Sequence, residues 1–169
     1  MKKLITIIIS IFILGMFVPY KYSNSDACNY ISKYSNSKSR CMCAWYVMRA
    51  IHKGGCYPCG IYPAYAYKRI LPKLGYTKIS PNYLQAGDIC VLSTNSRSNF
   101  GHIAIYNGQM WISDYKQNSL YPNSAYRNES ECSYYRLSDG WHTANIWESP
   151  SKLFEYLEVL IYNYKRIKL

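Results

Sequence analysis

Acidic residues are scarce in this chain: 9 Asp and Glu stand against 20 Lys and Arg among 169 residues, a formal net charge of +11. The positive excess favours anionic neighbours, although it could also serve only to keep the protein soluble. Because no nucleic-acid recognition motif accompanies the charge, nucleic acid is not an expected partner. The chain also lacks a linker long enough to divide domains, and its length suits a single buried core. The sequence therefore predicts one domain.

A long apolar run occurs near the N-terminus. Lys2 and Lys3 precede the apolar residues 4–18, and a polar segment then ends in Ser25-Asp26-Ala27. This order is typical of an export signal cleaved after residue 27. The alternative is an uncleaved membrane anchor, although the run is shorter than the roughly 20 residues that span a bilayer. We therefore expect a periplasmic or extracellular protein that meets anionic envelope polymers, and a membrane only if the leader stays attached.

Helix signals come first along the chain, and strand signals follow. Residues 39–53 predict a helix capped by Ser39, and residues 62–75 predict a second helix interrupted near Pro72. Residues 149–169 predict a C-terminal helix. Between them lie short β-rich runs at residues 87–92, 101–106, 109–115 and, more weakly, 133–137. Helices followed by a strand meander indicate an α+β fold.

The seven cysteines are an odd number for a compartment in which cysteines pair. Cys43 lies in the first turn of the first predicted helix, where the positive end of the helix dipole lowers a thiol pKa, so it is the expected free thiol. The other six are expected to be largely paired, with open connectivity: Cys28, Cys41, Cys56, Cys59, Cys90 and Cys132. The alternative is a structural zinc knuckle formed by Cys41, Cys43, Cys56 and Cys59.

A cysteine nucleophile needs a base, and the chain has three histidines. His102 opens an apolar strand, from which its ring would project off a rigid element. His52 lies at a helix end and His142 in an apparent loop. We therefore expect His102 to accept the proton of Cys43.

Four motifs in order resemble those of the CHAP amidases, which are cysteine- and histidine-dependent peptidoglycan hydrolases of the papain-like, NlpC-type superfamily. They are CAWYV at residues 43–47, GDICVL at 87–92, GHIAIYNG at 101–108 and WISDYKQ at 111–117. The resemblance implies an α+β, papain-like/NlpC-type fold, with N-terminal helices packed on a small antiparallel β-sheet plus a C-terminal helix. It divides the chain into a signal peptide at residues 1–27, a CHAP-like catalytic domain at 28–148 and the C-terminal helix at 149–169.

The resemblance also implies roles for site residues. Cys43 would be the nucleophile, His102 the base, and Asp114 the acidic residue that orients the imidazole. Many family members carry a polar residue before the cysteine, whereas this chain has Met42. The second oxyanion donor is therefore left open, with Gln117 as a candidate.

The implied function is that of an exported cysteine amidohydrolase, an amidase or endopeptidase that cleaves an amide bond in peptidoglycan through a thioester, with no cofactor and no metal. Its partners would be the stem or cross-bridge peptides of peptidoglycan. Two alternatives stay open: a non-catalytic wall-binding or inhibitor module on the same scaffold, and the zinc-knuckle protein described above.

The spacing of His102 and Asp114 allows a test by strand register. Asn107-Gly108 is typical of a two-residue hairpin, which would turn Asp114 to the opposite face of the sheet from His102. We therefore predict an odd-length connection or an equivalent bulge, which would bring both onto one face. If Asp114 is turned away, Gln117 is the first choice for its role.

Overall fold

The computed structural model describes residues 17–56 and 62–145, with side chains described at 20–56 and 62–142. The helices in this part of the chain are α1 (Asn24–Tyr34), α2 (Cys43–Lys53), α3 (Tyr67–Lys73) and α4 (Ser124–Glu129). The strands are β1 (Phe17–Tyr22), β2 (Thr77–Ile79), β3 (Ile89–Leu92), β4 (His102–Tyr106), β5 (Trp111–Ile112), β6 (Lys116–Gln117), β7 (Cys132–Arg136) and β8 (Gly140–Asn145). The predicted C-terminal helix at 149–169 lies outside the described residues.

Two compact units divide the chain. The larger is Lys21–Gly140, and the smaller comprises residues 1–20 and 141–169. Within the smaller unit the rings of Tyr20 and His142 stack with centroids 5.5 Å apart. The site described below lies within the larger unit.

The main sheet has six strands in the order β2-β7-β3-β4-β5-β6, and every neighbouring pair is antiparallel. All residues of β3 are buried, as are all but the last of β4, which explains why both read as near-continuous apolar runs. The α+β class predicted from the order of helix and strand signals is confirmed at this level.

Helix α2 positions the cysteine at its first residue and buries Val47, Ala50 and Ile51. The predicted end near Lys53 agrees with the structure, because the backbone N–H of Gly54 closes the last turn. The predicted start at Ser39 is wrong. The cap residue is Met42, three residues later, and its side chain makes no capping hydrogen bond.

Asp88 of the GDICVL motif has a structural explanation. Its buried carboxylate accepts two hydrogen bonds from the Arg136 guanidinium, each 2.7 Å long, and one from the Gln85 N–H at 2.7 Å. The bidentate pair fastens β7 to the entrance of β3. The motif therefore marks the start of a strand in the middle of the sheet.

The connection between β4 and β5 differs from the prediction. Tyr106 pairs with Trp111, so residues 107–110 connect the strands, an even number. The Asn107 side chain accepts hydrogen bonds from the backbone N–H groups of Gln109 (3.0 Å) and Met110 (2.8 Å), which stabilises the longer turn. The predicted odd-length connection is wrong because this side chain forms its own turn. Strand β5 then ends at Ile112, directly before Ser113 and Asp114.

The cysteines are only partly paired. Cys90 of β3 and Cys132 of β7 form a disulfide, which is consistent with export. Cys28 and Cys41 are free thiols, so the expectation that they would be paired is wrong. Cys28 is buried, and its thiol contacts the Tyr106 carbonyl oxygen at 3.7 Å. Cys59 lies outside the described residues.

The predicted leader overlaps the core. Tyr22 and Ala27 are almost completely buried, and the Tyr22 hydroxyl accepts a hydrogen bond of 2.9 Å from Tyr76. Removal of residues 1–27 would therefore take out part of the packed structure, and the boundary at residue 27 stays a prediction. No helix within the described ranges is long and apolar enough to cross a membrane.

Candidate active site

Cys43 lies at the N-terminus of α2 and is partly exposed. Burial raises the pKa of its thiol to about 11, although hydrogen bonds from the backbone amides of Ile103, Ala44 and Cys43 itself oppose the shift. The nearby Asp114 charge raises the pKa further. The expected depression of the thiol pKa is therefore not found, because desolvation outweighs the helix terminus.

His102 is the first residue of β4 and is 6% exposed. Burial lowers the pKa of its imidazole to about 4, against the opposing effects of Gln117 and Asp114. At neutral pH the imidazole is therefore uncharged, with one nitrogen free to accept a proton. Helix α2, which begins at Cys43, packs against β4, which begins at His102, so the two elements that carry the thiol and the imidazole adjoin.

Gln117 of β6 holds the imidazole. Its side-chain oxygen lies 3.3 Å and its side-chain nitrogen 3.1 Å from Nε2 of His102. Gln117 is 4% exposed, so the amide is fixed by its surroundings. The residue predicted as an oxyanion donor thus occupies the orienting position, and it leaves Nδ1 of His102 for another partner.

Asp114 is fully buried, and its carboxylate faces the segment before α2. Oδ2 accepts hydrogen bonds from the Ser39 hydroxyl (3.1 Å), the Arg40 N–H (2.5 Å) and the Met42 N–H (3.2 Å). Oδ1 accepts from the Ser113 hydroxyl at 3.0 Å. The hydrogen bond to the imidazole that was predicted for Asp114 is therefore made by Gln117.

This binding of Asp114 explains a special backbone conformation. Cys41 has a φ of 58°, in the left-handed region that a non-glycine residue rarely adopts. Successive N–H groups around such a residue form a concave anion-binding nest, and here the carboxylate of Asp114 occupies it. Asp114 thereby fixes the chain that leads directly into Cys43. A role of this kind carries no local sequence signal, because the partners are more than 70 residues apart.

Tyrosines surround the site. Burial raises the pKa of Tyr67 to about 12 and also raises the pKa values of Tyr115 and Tyr126, and the charge of Cys43 raises all three further. The Tyr126 ring lies 5.8 Å from that of His102, and its hydroxyl donates to the Gly101 carbonyl at 2.7 Å. Sequence reasoning missed these residues, because twenty tyrosines are spread along the chain and nothing in their spacing singles out three.

The described residues contain no group of three or more His, Cys, Asp or Glu side chains that could hold a metal ion. Cys59, the fourth member of the zinc-knuckle alternative, falls in the undescribed stretch.

The fold and the site define an α+β protein with a thiol at a helix N-terminus beside a buried histidine. No family model and no curated protein matches the chain. Two solved structures do, both of a type VI effector–immunity complex, Tae3–Tai3, from Ralstonia pickettii. The native complex gives a TM-score of 0.65 at 33% identity over 69% of this chain and 100% of the matched chain. The selenomethionine form gives 0.63 at 33% identity over 67% and 100%.

At this identity over its whole length, the matched chain and this chain belong to one family, that of a component of the Tae3–Tai3 complex. The predicted membership of the CHAP family is wrong, since the structural relatives belong to a different family. The shared feature is the coarse α+β architecture.

Proposed function

We propose that this chain is a cysteine amidohydrolase of the cell envelope that cleaves an amide bond through a thioester. The observation that carries the proposal is the buried His102 held by Gln117 on a strand that packs against α2, the helix that begins at Cys43. A thiol at a helix N-terminus beside a histidine on an antiparallel sheet is the arrangement of papain-like, NlpC-type hydrolases. We therefore propose that the fold belongs to that superfamily.

In the proposed mechanism the thiol of Cys43 and the imidazole of His102 are both uncharged at the start. The side-chain oxygen of Gln117 accepts a hydrogen bond from Nε2–H of His102, which leaves Nδ1 without a proton. Nδ1 therefore accepts the proton of Cys43 as the sulfur attacks the carbonyl carbon. The imidazolium then donates this proton to the leaving amine as the carbon–nitrogen bond breaks, and a thioester remains. Water, activated by the same imidazole, hydrolyses the thioester and restores the thiol. The Cys43 N–H, unused within the first turn of α2, is the first donor to the oxyanion.

Peptidoglycan is the proposed substrate. Its stem and cross-bridge peptides supply amide bonds in the compartment that the expected leader specifies, and the Cys90–Cys132 disulfide is consistent with that compartment. The net positive charge favours the anionic polymers that accompany peptidoglycan. Because the matched structures are effector–immunity complexes, we also propose a protein partner that regulates the site.

A second candidate function is that of an immunity-type inhibitor, because the matched complex contains a protein of each kind. The buried imidazole favours the enzyme over the inhibitor. Keeping a neutral histidine buried beside a thiol costs stability at acidic pH, and a binding module has no need of that pair.

Digestion of purified peptidoglycan, with products read by mass spectrometry, tests the proposal. Cys43→Ala and His102→Ala should each lower turnover by several orders of magnitude while the circular dichroism spectrum stays unchanged. Cys41→Ser and His52→Ala are the matched controls and should retain turnover within a few fold. Substantial turnover in Cys43→Ala would overturn the enzyme assignment. An inert wild-type protein that blocks digestion by a second hydrolase would establish the inhibitor.

A further inference from the structure

Trp45, the tryptophan of the CAWYV motif, lies two residues after Cys43 on α2 and belongs to a side-chain cluster that the proposed mechanism does not use. The guanidinium of Arg49 lies over its ring, with the guanidinium carbon 5.0 Å from the ring centroid. Nε of Arg49 also donates a hydrogen bond of 3.1 Å to the Tyr30 hydroxyl of α1. A cation–π contact and a hydrogen bond therefore hold this arginine together.

The cluster continues along α1. The ring centroids of Tyr30 and Tyr34 are 4.7 Å apart, and Nζ of Lys33 lies 5.2 Å from the centroid of the Tyr34 ring. We call Tyr30, Lys33, Tyr34, Trp45 and Arg49 the aromatic–basic patch. Lys33, Tyr34 and Arg49 are exposed, so a ligand can reach a cation on each of the two helices.

The patch carries positive charge that the described residues do not neutralise. Lys33 and Arg49 form no ion pair within the described part of the chain, and Asp26, the acidic residue of α1, pairs with neither. Lys53 is exposed and follows Arg49 by four residues, so a third cation lies on the same side of α2. Like charges at this spacing repel each other, and a bound anion would offset the repulsion.

Arg49 is arranged to bind an anion. Its Nε is engaged with Tyr30, whereas its two terminal nitrogens donate no hydrogen bond to the described residues. A guanidinium binds a carboxylate through two parallel hydrogen bonds. Because the side chain is already held by the ring of Trp45, binding costs less conformational entropy than it would for an unrestrained surface arginine.

We propose that the aromatic–basic patch binds carboxylates of peptidoglycan stem peptides, an inference that rests on the proposed substrate. Stem peptides recur along a glycan strand, so a polymer held at Cys43 presents further carboxylates beside the site. Arg49 lies six residues after Cys43, about 9 Å along the axis of α2. The Arg49 guanidinium donates to a carboxylate, Lys33 supplies a second positive charge, and the exposed Tyr34 ring offers apolar contact. The position of the patch on the helix of the nucleophile favours the substrate polymer over an acidic protein partner, because the polymer has to reach this helix to be cleaved.

Cosedimentation of the Cys43→Ala protein with insoluble peptidoglycan sacculi tests the inference, because this variant leaves the polymer uncut. Adding Arg49→Gln should weaken binding about 10-fold at low salt, and Arg49→Lys should have a smaller effect because lysine keeps the charge but loses the paired donors. Lys33→Gln should also weaken binding, by a few fold. Arg127→Gln is the matched control, since Arg127 is exposed and lies over the Tyr121 ring at 5.9 Å, but on α4. It should change binding by less than about twofold.

Chemical treatment of the sacculi identifies the group that is bound. After conversion of their carboxyl groups to amides, the sacculi should bind the Cys43→Ala protein and its Arg49→Gln form equally. A difference that persists on treated sacculi would overturn the inference, because Arg49 would then bind another group of the polymer. Circular dichroism checks that each variant is folded, and if Arg49→Gln is not, the exposed Lys33→Gln decides.

The outcomes separate this inference from the proposed function. Equal binding of untreated sacculi with and without the Arg49→Gln and Lys33→Gln changes would overturn the inference and would favour an acidic protein as the partner of the patch. If the wild-type protein cleaves peptidoglycan in that case, the proposed function stands. Binding that depends on Arg49, in a protein whose wild type cleaves no amide, would support the patch and overturn the proposed function.

Discussion

Replacing Asp114 tests whether this residue orients the histidine or holds the backbone before the nucleophile. In the structure the carboxylate accepts from the backbone N–H groups of Arg40 and Met42 and from two serine hydroxyls. Asp114→Ala removes every one of these acceptors. The hydroxyls can rotate to other partners, but the two amides are fixed in the nest and are left without one.

The size of the effect follows from those two amides. Each buried N–H left unpaired costs about 1–3 kcal/mol, so Asp114→Ala should lower the free energy of unfolding by about 2–6 kcal/mol. Asp114→Asn retains a carbonyl oxygen for both amides and turns its NH₂ group toward the Ser113 hydroxyl. It loses only the charge assistance, so its cost should be about 1–2 kcal/mol.

Urea unfolding and peptidoglycan turnover, measured on the same samples, check this reasoning. We expect stability and turnover to fall together in Asp114→Ala and to recover together in Asp114→Asn. Asp26→Ala, which removes an exposed carboxylate from the first turn of α1, is the control and should lower stability by no more than about 1 kcal/mol, the usual contribution of an acidic residue at a helix N-terminus. An Asp114→Ala variant as stable as wild type would refute the nest assignment. Loss of turnover in a fully stable Asp114→Asn would instead indicate direct action on His102.

Burial also determines how the protein responds to pH, to thiol reagents and to processing. The pKa of His102 is lowered from 6.5 to about 4, so the unfolded chain binds more protons than the folded chain between these pH values. The free energy of unfolding should therefore fall by up to about 3 kcal/mol as the pH falls from 6.5 to 4. Urea unfolding of His102→Gln should show no such dependence on pH. Titration of the denatured, unreduced protein with a thiol reagent should label Cys28 and Cys41 as well as the nucleophile, and a single reactive thiol would contradict the structure. Intact-mass measurement should find a mature N-terminus upstream of Tyr22, because Tyr22 and Ala27 are buried in the core of the larger unit, and a start at residue 28 would show that the fold does not need them.

The parts of the fold that the sequence predicted are those with a strong local signal. The apolar runs of β3 and β4 and the end of α2 at Lys53 agree with the structure, because a buried strand and a glycine helix stop are both encoded by neighbouring residues. Helix α1 was missed. Its sequence, NSDACNYISKY, is polar overall, and its position next to the apolar N-terminal run favoured an interpretation as leader sequence.

In the site, too, features with a local sequence signal were predicted and features that depend on tertiary packing were not. Cys43 and His102 were singled out by residue type and by their place at the start of an element, and in the structure the helix and the strand that carry them pack against each other. Gln117 was the expected replacement if Asp114 turned away, but the sequence could not decide between the two residues, because the choice depends on the length of the turn after Tyr106 and on a bend after Ile112. Residues 113–115 form the bend between β5 and β6, and their path decides which side chain reaches the imidazole. Register of this kind is fixed by tertiary packing and not by strand propensity.

Two features that cost stability lie on the segments that carry Cys43 and His102, and they bear on the choice between enzyme and inhibitor. Cys41 holds a left-handed backbone, and His102 is buried without charge. A protein that binds a partner only through its surface gains nothing from either, since glycine and a neutral amide would remove these costs. A hydrolase gains from both, because the backbone presents the thiol at its helix terminus and the uncharged imidazole can accept a proton. Costs of this kind at one site are expected where chemistry is favoured over stability.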